Sequence, residues 1–262
     1  MKGSIINMKR KRSKIYIKSP EQIEKIRESG KINIALLDEV TPLIKEGIST
    51  EEIDQFIYNK TKAYGAIPAP LNYEGFPKSV CTSINAQVCH GIPSKDTILK
   101  NGDIINVDVS TIYNGYFSDS SRMFCIGEVS PERKLLVERT KEAMYLGLDV
   151  VKPGNHFGDI GQVISDFAKK HNYTVVREIG GHGVGIKFHE QPFVSFVSKK
   201  GTGALFEPGM IFTIEPMINL GDNEVFIDES NDWTIYTADG KDSAQWEIMV
   251  LVTETGAEIL AY

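Results

Sequence analysis

Asp108, Asp119, His182, Glu215 and Glu247 are four carboxylates and one imidazole, each carried on a short strand-like run or a glycine-rich turn. Asp108 lies in IINVDVS, Asp119 in GYFSDSSRMF, His182 in GGHGVG, Glu215 in MIFTIEPM and Glu247 in SAQWEIMVLV. A carboxylate inside an apolar strand is costly unless a cation or hydrogen bonds compensate it. Four of them, with one histidine among glycines, point to a site that neutralises two divalent cations.

The first pair can be placed by geometry. Residues 104–110 alternate as a strand, and Asn114-Gly115 is a strong two-residue hairpin signal. Such a turn sets Tyr113 opposite Tyr116, Ser110 opposite Asp119 and Asp108 opposite Ser121. Asp108 and Asp119 then become diagonal neighbours on one face, ~7–8 Å apart at the backbone. Carboxylates reaching inward from there can share metals ~3.5–4 Å apart. A register slip of one residue would put them on opposite faces. Taken alone, the pair also fits two unrelated surface aspartates.

The elements that must position these residues fall into two similar halves. Ser19-Pro20-Glu21-Gln22 reads as an N-cap, a proline at the first helical position and a capping-box glutamine, opening a helix to about residue 45. A second box, Ser49-Thr50-Glu51-Glu52, opens a helix with Ile53, Phe56 and Ile57 on one face, and strands follow to about residue 127. Ser130-Pro131-Glu132 starts a third helix, and Phe157, Ile160, Val163, Ile164 and Phe167 mark a fourth. Strand-like runs return at 173–179, 209–215 and 246–253. Two helices followed by strands, twice over, suggest an internally duplicated α+β domain.

Composition narrows the class. A chain of 262 residues with 41% hydrophobic content can bury one full core, so 19–262 is expected as a single domain after a basic, flexible tail of residues 1–18. That tail holds seven Lys or Arg and no acid. A solvated segment is the plainer account of it; electrostatic docking to ribosomal RNA is the alternative. Met8 could be the true start. The net charge of −6 does not suggest a DNA-binding protein. Three cysteines without a CxxC pair fit a reducing cytoplasm. No apolar run reaches 18 residues, and no signal-peptide core follows the basic start.

Five segments in sequence order carry a resemblance: KSVCTSINAQVCHGIPS, the hairpin holding Asp108 and Asp119, GGHGVGIKFHEQP, FTIEPM and SAQWE. Together they resemble the type I methionine aminopeptidases from residue 19 to about 255. The 25 residues between His189 and Glu215 leave no room for the insertion of the type II enzymes, and the tail lacks the cysteine-rich extension of eukaryotic type I enzymes. The resemblance implies the pita-bread fold, a curved antiparallel sheet backed by helices with the metal site on its inner face. It implies removal of N-terminal methionine from nascent polypeptides when the second residue is small, by a monomeric cytoplasmic enzyme. By the same resemblance, Asp119 and Glu247 bridge two metals, His182 and Glu215 complete the first ion, and Asp108 chelates the second. Oxygen-rich ligation with one imidazole suits Mn(II), Fe(II) or Co(II), and two such ions activate water near neutral pH. Glu215 is implied as general base, His189 as oxyanion donor and His90 as neighbour of the scissile amide nitrogen. Tyr73, Phe76, Cys81, Phe188 and Trp233, beside His90 and His189, would line an apolar methionine slot.

Pro70 departs from the family's small residue or cysteine and puts the pocket shape in question. Ile248 replaces the usual histidine after Glu247 and is expected to alter the surroundings of that carboxylate. Other motifs lead nowhere. GGHGVG lacks the following helix of a dinucleotide fingerprint, Cys89 and His90 point to opposite faces, and His189-Glu190 has no second histidine four residues on. His156 and His171 carry no assignable chemistry. Two further readings stay open: an Xaa-Pro aminopeptidase or prolidase, expected to carry a large N-terminal domain, and a non-catalytic binding module, expected to have lost metal ligands.

Overall fold

A computed structural model describes residues 14–262. Its helices are α1 (Pro20–Val40), α2 (Thr50–Ala63), α3 (Pro131–Asp149) and α4 (Phe157–Lys170). The first half contributes β1 (Ile67–Pro68), β2 (Cys81–Ile84), β3 (Gln87–Cys89), β4 (Ile104–Tyr113) and β5 (Tyr116–Cys125). The second contributes β6 (Thr174–Val175), β7 (Gly181–Gly183), β8 (Glu190–Val194), β9 (Ile211–Ile214) and β10 (Met217–Asn219). It continues with β11 (Val225–Ile227), β12 (Ile235–Thr237), β13 (Ser243–Gln245), β14 (Ile248–Val252) and β15 (Ala257–Ala261). Helices and strands thus alternate in the two halves as the sequence suggests.

The helix starts follow local chemistry. Ser19 Oγ accepts the N–H of Gln22 while Gln22 Oε1 accepts that of Ser19, and Ser49 and Glu52 repeat the exchange on α2. α1 stops at Val40, short of residue 45, and tightens into a 3-10 turn over Thr41–Leu43. Pro42 explains the early end: it has no N–H to donate, and its ring crowds the preceding turn.

All strand pairings are antiparallel among the described residues. β1, β4 and β2 form one sheet with β5 on β4; β15-β14-β9-β7-β8 form another. A bridge between Ser121 and Glu247 joins the two sheets. The β4–β5 hairpin has the register expected from Asn114-Gly115, both of which take positive φ as a tight primed turn needs.

α1 packs across the back of both sheets. Its Ser29 Oγ lies 2.9 Å from Ser118 Oγ, and Asn33 Nδ2 donates to Val109 O. Gly30 has no room for a side chain: a Cβ there would sit 2.2 Å from Leu260 O on β15. Under α1 and α2, Leu36, Leu37, Ile53, Ile57, Val107 and Val109 are fully buried. The larger core lies between α3, α4 and the second-half strands, around Ile160, Ile164, Phe196, Phe212 and Val250. Each such side chain contributes roughly 1.5–3 kcal/mol by leaving water. With both outer faces covered by helices, the inner face is left for the site.

The tail expected over residues 1–18 falls mostly outside the described residues. Residues 14–18 do not, and the last of them, Lys18, is buried, with its N–H donating to Gly209 O at 2.9 Å. The folded body therefore includes Lys18.

Candidate metal centre and active site

One cavity of about 440 Å³ is lined by every metal-ligand, catalytic and slot residue that the sequence suggests. Asp108, Asp119, His182, Glu215 and Glu247 line it together with Tyr73, Phe76, Cys81, His90, Phe188, His189, Trp233 and Pro70, among others.

Strand register brings the five together. Asp108 pairs with Ser121 and Ser110 with Asp119, so the two aspartates share a face as the hairpin geometry requires. Ser121 in turn bridges to Glu247. Glu215 sits at the break between β9 and β10, and Glu247 at the break between β13 and β14. The pairings Ile214–Ile248 and Met217–Gln245 lie either side of these breaks in one register, which sets Glu215 opposite Glu247. His182 comes from β7, which pairs with β9 through Gly183–Phe212. His182 Nε2 lies 3.6 Å from both Asp119 Oδ2 and Glu215 Oε1.

The electrostatics describe a charge deficit. Burial raises the carboxyl pKa values of Asp119 and Glu247 well above the usual range, and each is raised further by the other carboxylates of the group. Burial also raises those of Asp108 and Glu215. His182 is held at about 3 by burial and by the neighbouring His189 and His90, so its imidazole is neutral. Its Nδ1 lies 3.0 Å from Gly183 O. A proton on Nδ1 donated to that carbonyl leaves the Nε2 lone pair facing the carboxylates, as a metal ligand needs.

The donor set fits divalent cations on a further observation. Asp108 Oδ1 and Glu247 Oε1 are buried without any hydrogen-bond partner among the described residues. A buried carboxylate oxygen with no donor is costly on its own and is what a cation compensates. Ligand atoms of Asp119, His182 and Glu247 all lie within 4.8 Å of one another, a group able to hold a metal.

The residues that orient these carboxylates were not singled out from the sequence. Thr213 Oγ1 donates to Glu215 Oε1 at 2.6 Å, Gln245 Nε2 to Glu215 Oε2 at 3.0 Å, and Ser110 Oγ to Asp119 Oδ1 at 2.7 Å. Thr213 and Gln245 each lie two positions before a key glutamate, and that spacing is the signal for one shared strand face.

The rest of the cavity is mainly aromatic. Tyr73 meets Phe188 edge-on at 4.9 Å, and Phe76 meets Trp233 edge-on at 5.2 Å. Cys81 pairs with Asp108 in register and is buried, and burial pushes its thiol pKa well up, so it is an inert wall. His189 Nδ1 lies 2.9 Å from the Tyr73 hydroxyl. Burial holds His189 and His90 at about 4, and His90 adopts a left-handed backbone at φ +56. Glu178, Gln191 and Phe193 also line the cavity; no motif covers Glu178 or Phe193, and Gln191 lies unassigned inside GGHGVGIKFHEQP.

Ile248 does not line the cavity. Ile248 is 1% exposed and packs in the large core beside Ile214, away from the cavity. Adjacent strand residues face opposite ways, so Ile248 points into the core while Glu247 faces the cavity.

The sequence matches the family described as Metallopeptidase family M24 over residues 24–254. It is 49% identical to methionine aminopeptidase A of Synechocystis sp., over 94% of this chain and 97% of that one. The structure resembles methionine aminopeptidase from Rickettsia prowazekii with a TM-score of 0.93 and 44% identity, covering 95% of this chain and 100% of that one. X-Pro aminopeptidase from Thermotoga maritima is more distant, with a TM-score of 0.73 and 25% identity over 94% of this chain and 62% of that one.

Proposed function

The chain belongs to metallopeptidase family M24, and from that premise we propose that its cavity removes N-terminal methionine from peptides and nascent proteins with a small second residue. It has the pita-bread fold and is a metal-dependent hydrolase of the bacterial type I methionine aminopeptidases. One observation carries the specificity: the five-donor acidic wall opens directly onto a slot of Tyr73, Phe76, Cys81, Phe188 and Trp233. That slot suits a flexible thioether, which packs well against aromatic rings.

In this reading Asp108, Asp119, His182, Glu215 and Glu247 would hold two divalent cations of the Mn(II), Fe(II) or Co(II) class. Bound there, such ions supply Lewis acidity that activates water and polarises the peptide carbonyl. The chain's own groups do the rest. Thr213 and Gln245 fix the Glu215 carboxylate, which takes the proton as general base and passes it toward the leaving amine. Tyr73 donates its hydroxyl hydrogen to His189 Nδ1, leaving Nε2–H to stabilise charge developing on the carbonyl oxygen. His90 stands near the scissile amide nitrogen, and Trp233 lies edge-on to it at 6.2 Å. Phe76, Phe188 and Trp233 exclude water around the side chain.

Among the described residues no helix is long and apolar enough to cross a membrane. The Lys- and Arg-rich residues before Lys18 supply the charge for a contact with ribosomal RNA, where nascent substrates emerge. The experiment is release of free methionine from Met-Gly-X peptides by the metal-loaded protein. Its absence with each of Mn(II), Fe(II) and Co(II) would overturn the reading.

A further inference from the structure

The ion pair between Lys18 Nζ and Glu190 Oε2, at 2.8 Å, has both side chains wholly removed from solvent. It takes no part in the chemistry above, yet Glu190 is also one of the residues that line the cavity. Glu190 Oε1 accepts two backbone N–H groups, those of Ile186 and Lys187, each at 2.7 Å. These amides belong to the turn between β7 and β8, the turn that delivers Phe188 and His189 to the cavity. One carboxylate therefore ties the turn with one oxygen and the segment before α1 with the other.

The surroundings leave this arrangement little freedom. Lys18 is pinned by its N–H to Gly209 O at 2.9 Å, and its Nζ lies 3.5 Å from Ile211 O. Gly185, at φ +129, opens the turn; a Cβ there would sit 2.6 Å from Ile26 Cδ1 and 3.4 Å from Lys18 Cε. Gly185 O also accepts the N–H of Phe117 at 2.8 Å, and Phe117 stacks on Phe188 at 6.0 Å. As a source of stability the pair is a poor choice, because two buried charges lose hydration that an apolar pair would not. What an apolar pair could not do is accept two amides and a cation at fixed directions.

We propose that Glu190 and Lys18 are positioning residues for the aminopeptidase reaction: they hold the Ile186–His189 turn so that Phe188 closes the slot and His189 meets the reacting carbonyl. The inference rests on the reading of the cavity as an aminopeptidase site. It makes the segment leading into α1 part of the catalytic frame.

The test uses the full-length, metal-loaded protein and three variants: Glu190→Ala, Lys18→Met and the double variant Lys18→Met/Glu190→Gln. Four quantities are read well below each melting temperature: kcat, KM, metal per chain, and hydrogen exchange at the amides of Ile186 and Lys187. Glu190→Ala loses the acceptor, so both amides exchange faster and kcat falls about 10²-fold, the scale of a small misplacement of a catalytic group, with metal content unchanged. Lys18→Met leaves a buried carboxylate unpaired and loses about tenfold in kcat. The double variant restores a neutral acceptor without a buried charge; it regains amide protection and returns kcat to within about threefold of the parent. A folded Glu190→Ala with the parent's kcat would overturn the proposal, as would a double variant that regains protection but not turnover. If Glu190→Ala does not fold, Lys18→Met decides, and the parent's kcat and protection in it count against the clamp. A parent protein that releases no methionine refutes the functional reading instead, while the exchange measurements still report on the clamp.

Discussion

Glu215 and Glu247 stand opposite each other at matching breaks in two neighbouring strand pairs, one register position beyond Ile214–Ile248 and two before Met217–Gln245. Through Ser121, Glu247 is also in line with Asp108 on the first-half hairpin. The carboxylates thus come from both halves of the fold, and the seam between the halves is where they meet. Burial raises all four pKa values, so the group is short of positive charge.

Replacing a proposed bridging residue tests the metal count. In Asp119→Ala or Glu247→Ala, two cations would share too few negative ligands, so bound metal falls below one equivalent of the parent's pair and hydrolysis is lost. Circular dichroism should show the fold retained, since neither side chain packs in the hydrophobic core. Near-normal turnover by either variant would end the dinuclear account.

His189→Ala separates binding from chemistry. The variant loses a donor to the transition state, so kcat drops by ~10²-fold or more while KM changes little. Steady-state kinetics on a Met-Gly-X peptide decide this. An effect confined to KM would make His189 a binding group only.

Metal removal has a pH signature. A carboxyl with a raised folded pKa stabilises the fold fully below its unfolded value of ~4, and that contribution is lost as pH rises through the folded value. In the metal-free chain, burial pushes Asp108 up to about 7 and Glu215 to about 8. His182 is shifted the other way, to about 3, so its own contribution changes only below its unfolded value of ~6.5. Between pH ~6.5 and ~8 the carboxyls alone set the trend, and the metal-free protein loses stability as pH rises. The rise in Tm on adding Mn(II) should therefore be larger at the upper end of that window. A metal increment that is flat or shrinks with pH would contradict the charge-deficit picture.

The basic segment can be divided by truncation. Removing residues 1–13 should leave tripeptide hydrolysis at the parent level but weaken salt-sensitive sedimentation with ribosomes, because phosphate contacts release counterions. Removing residues 1–18 also deletes Lys18 and its contact with Glu190, so turnover falls as well. Identical sedimentation of the parent and the shorter truncation at low salt would rule out a ribosome contact.

What was legible in the sequence was mostly local. The Asn114-Gly115 turn fixed the Asp108–Asp119 relationship, because a two-residue hairpin leaves one register. The capping boxes at Ser19 and Ser49 marked the helix starts for the same reason: donor and acceptor lie within four residues. The facing of Glu215 and Glu247 was not legible, since it depends on a pairing between segments some thirty residues apart. Nor was the role of Lys18, which reads as one more charge in a basic run until Glu190, 172 residues away, is brought to it. At Ile248 the resemblance gives a residue type and not the side on which it lies, which is the core side.

Selectivity for methionine at the first position is decided by competition among Met-Gly-X, Leu-Gly-X, Lys-Gly-X, Met-Leu-X and Xaa-Pro peptides, with kcat/KM measured for each. The aromatic slot should favour Met-Gly-X over Leu-Gly-X by a factor equivalent to about 1–3 kcal/mol, a limit set by similar apolar shapes. Lys-Gly-X should be refused, because an unpaired ammonium would be buried against aromatic walls, and Met-Leu-X should be cleaved poorly. Efficient cleavage of the lysine peptide, or preference for Xaa-Pro substrates, would contradict the account.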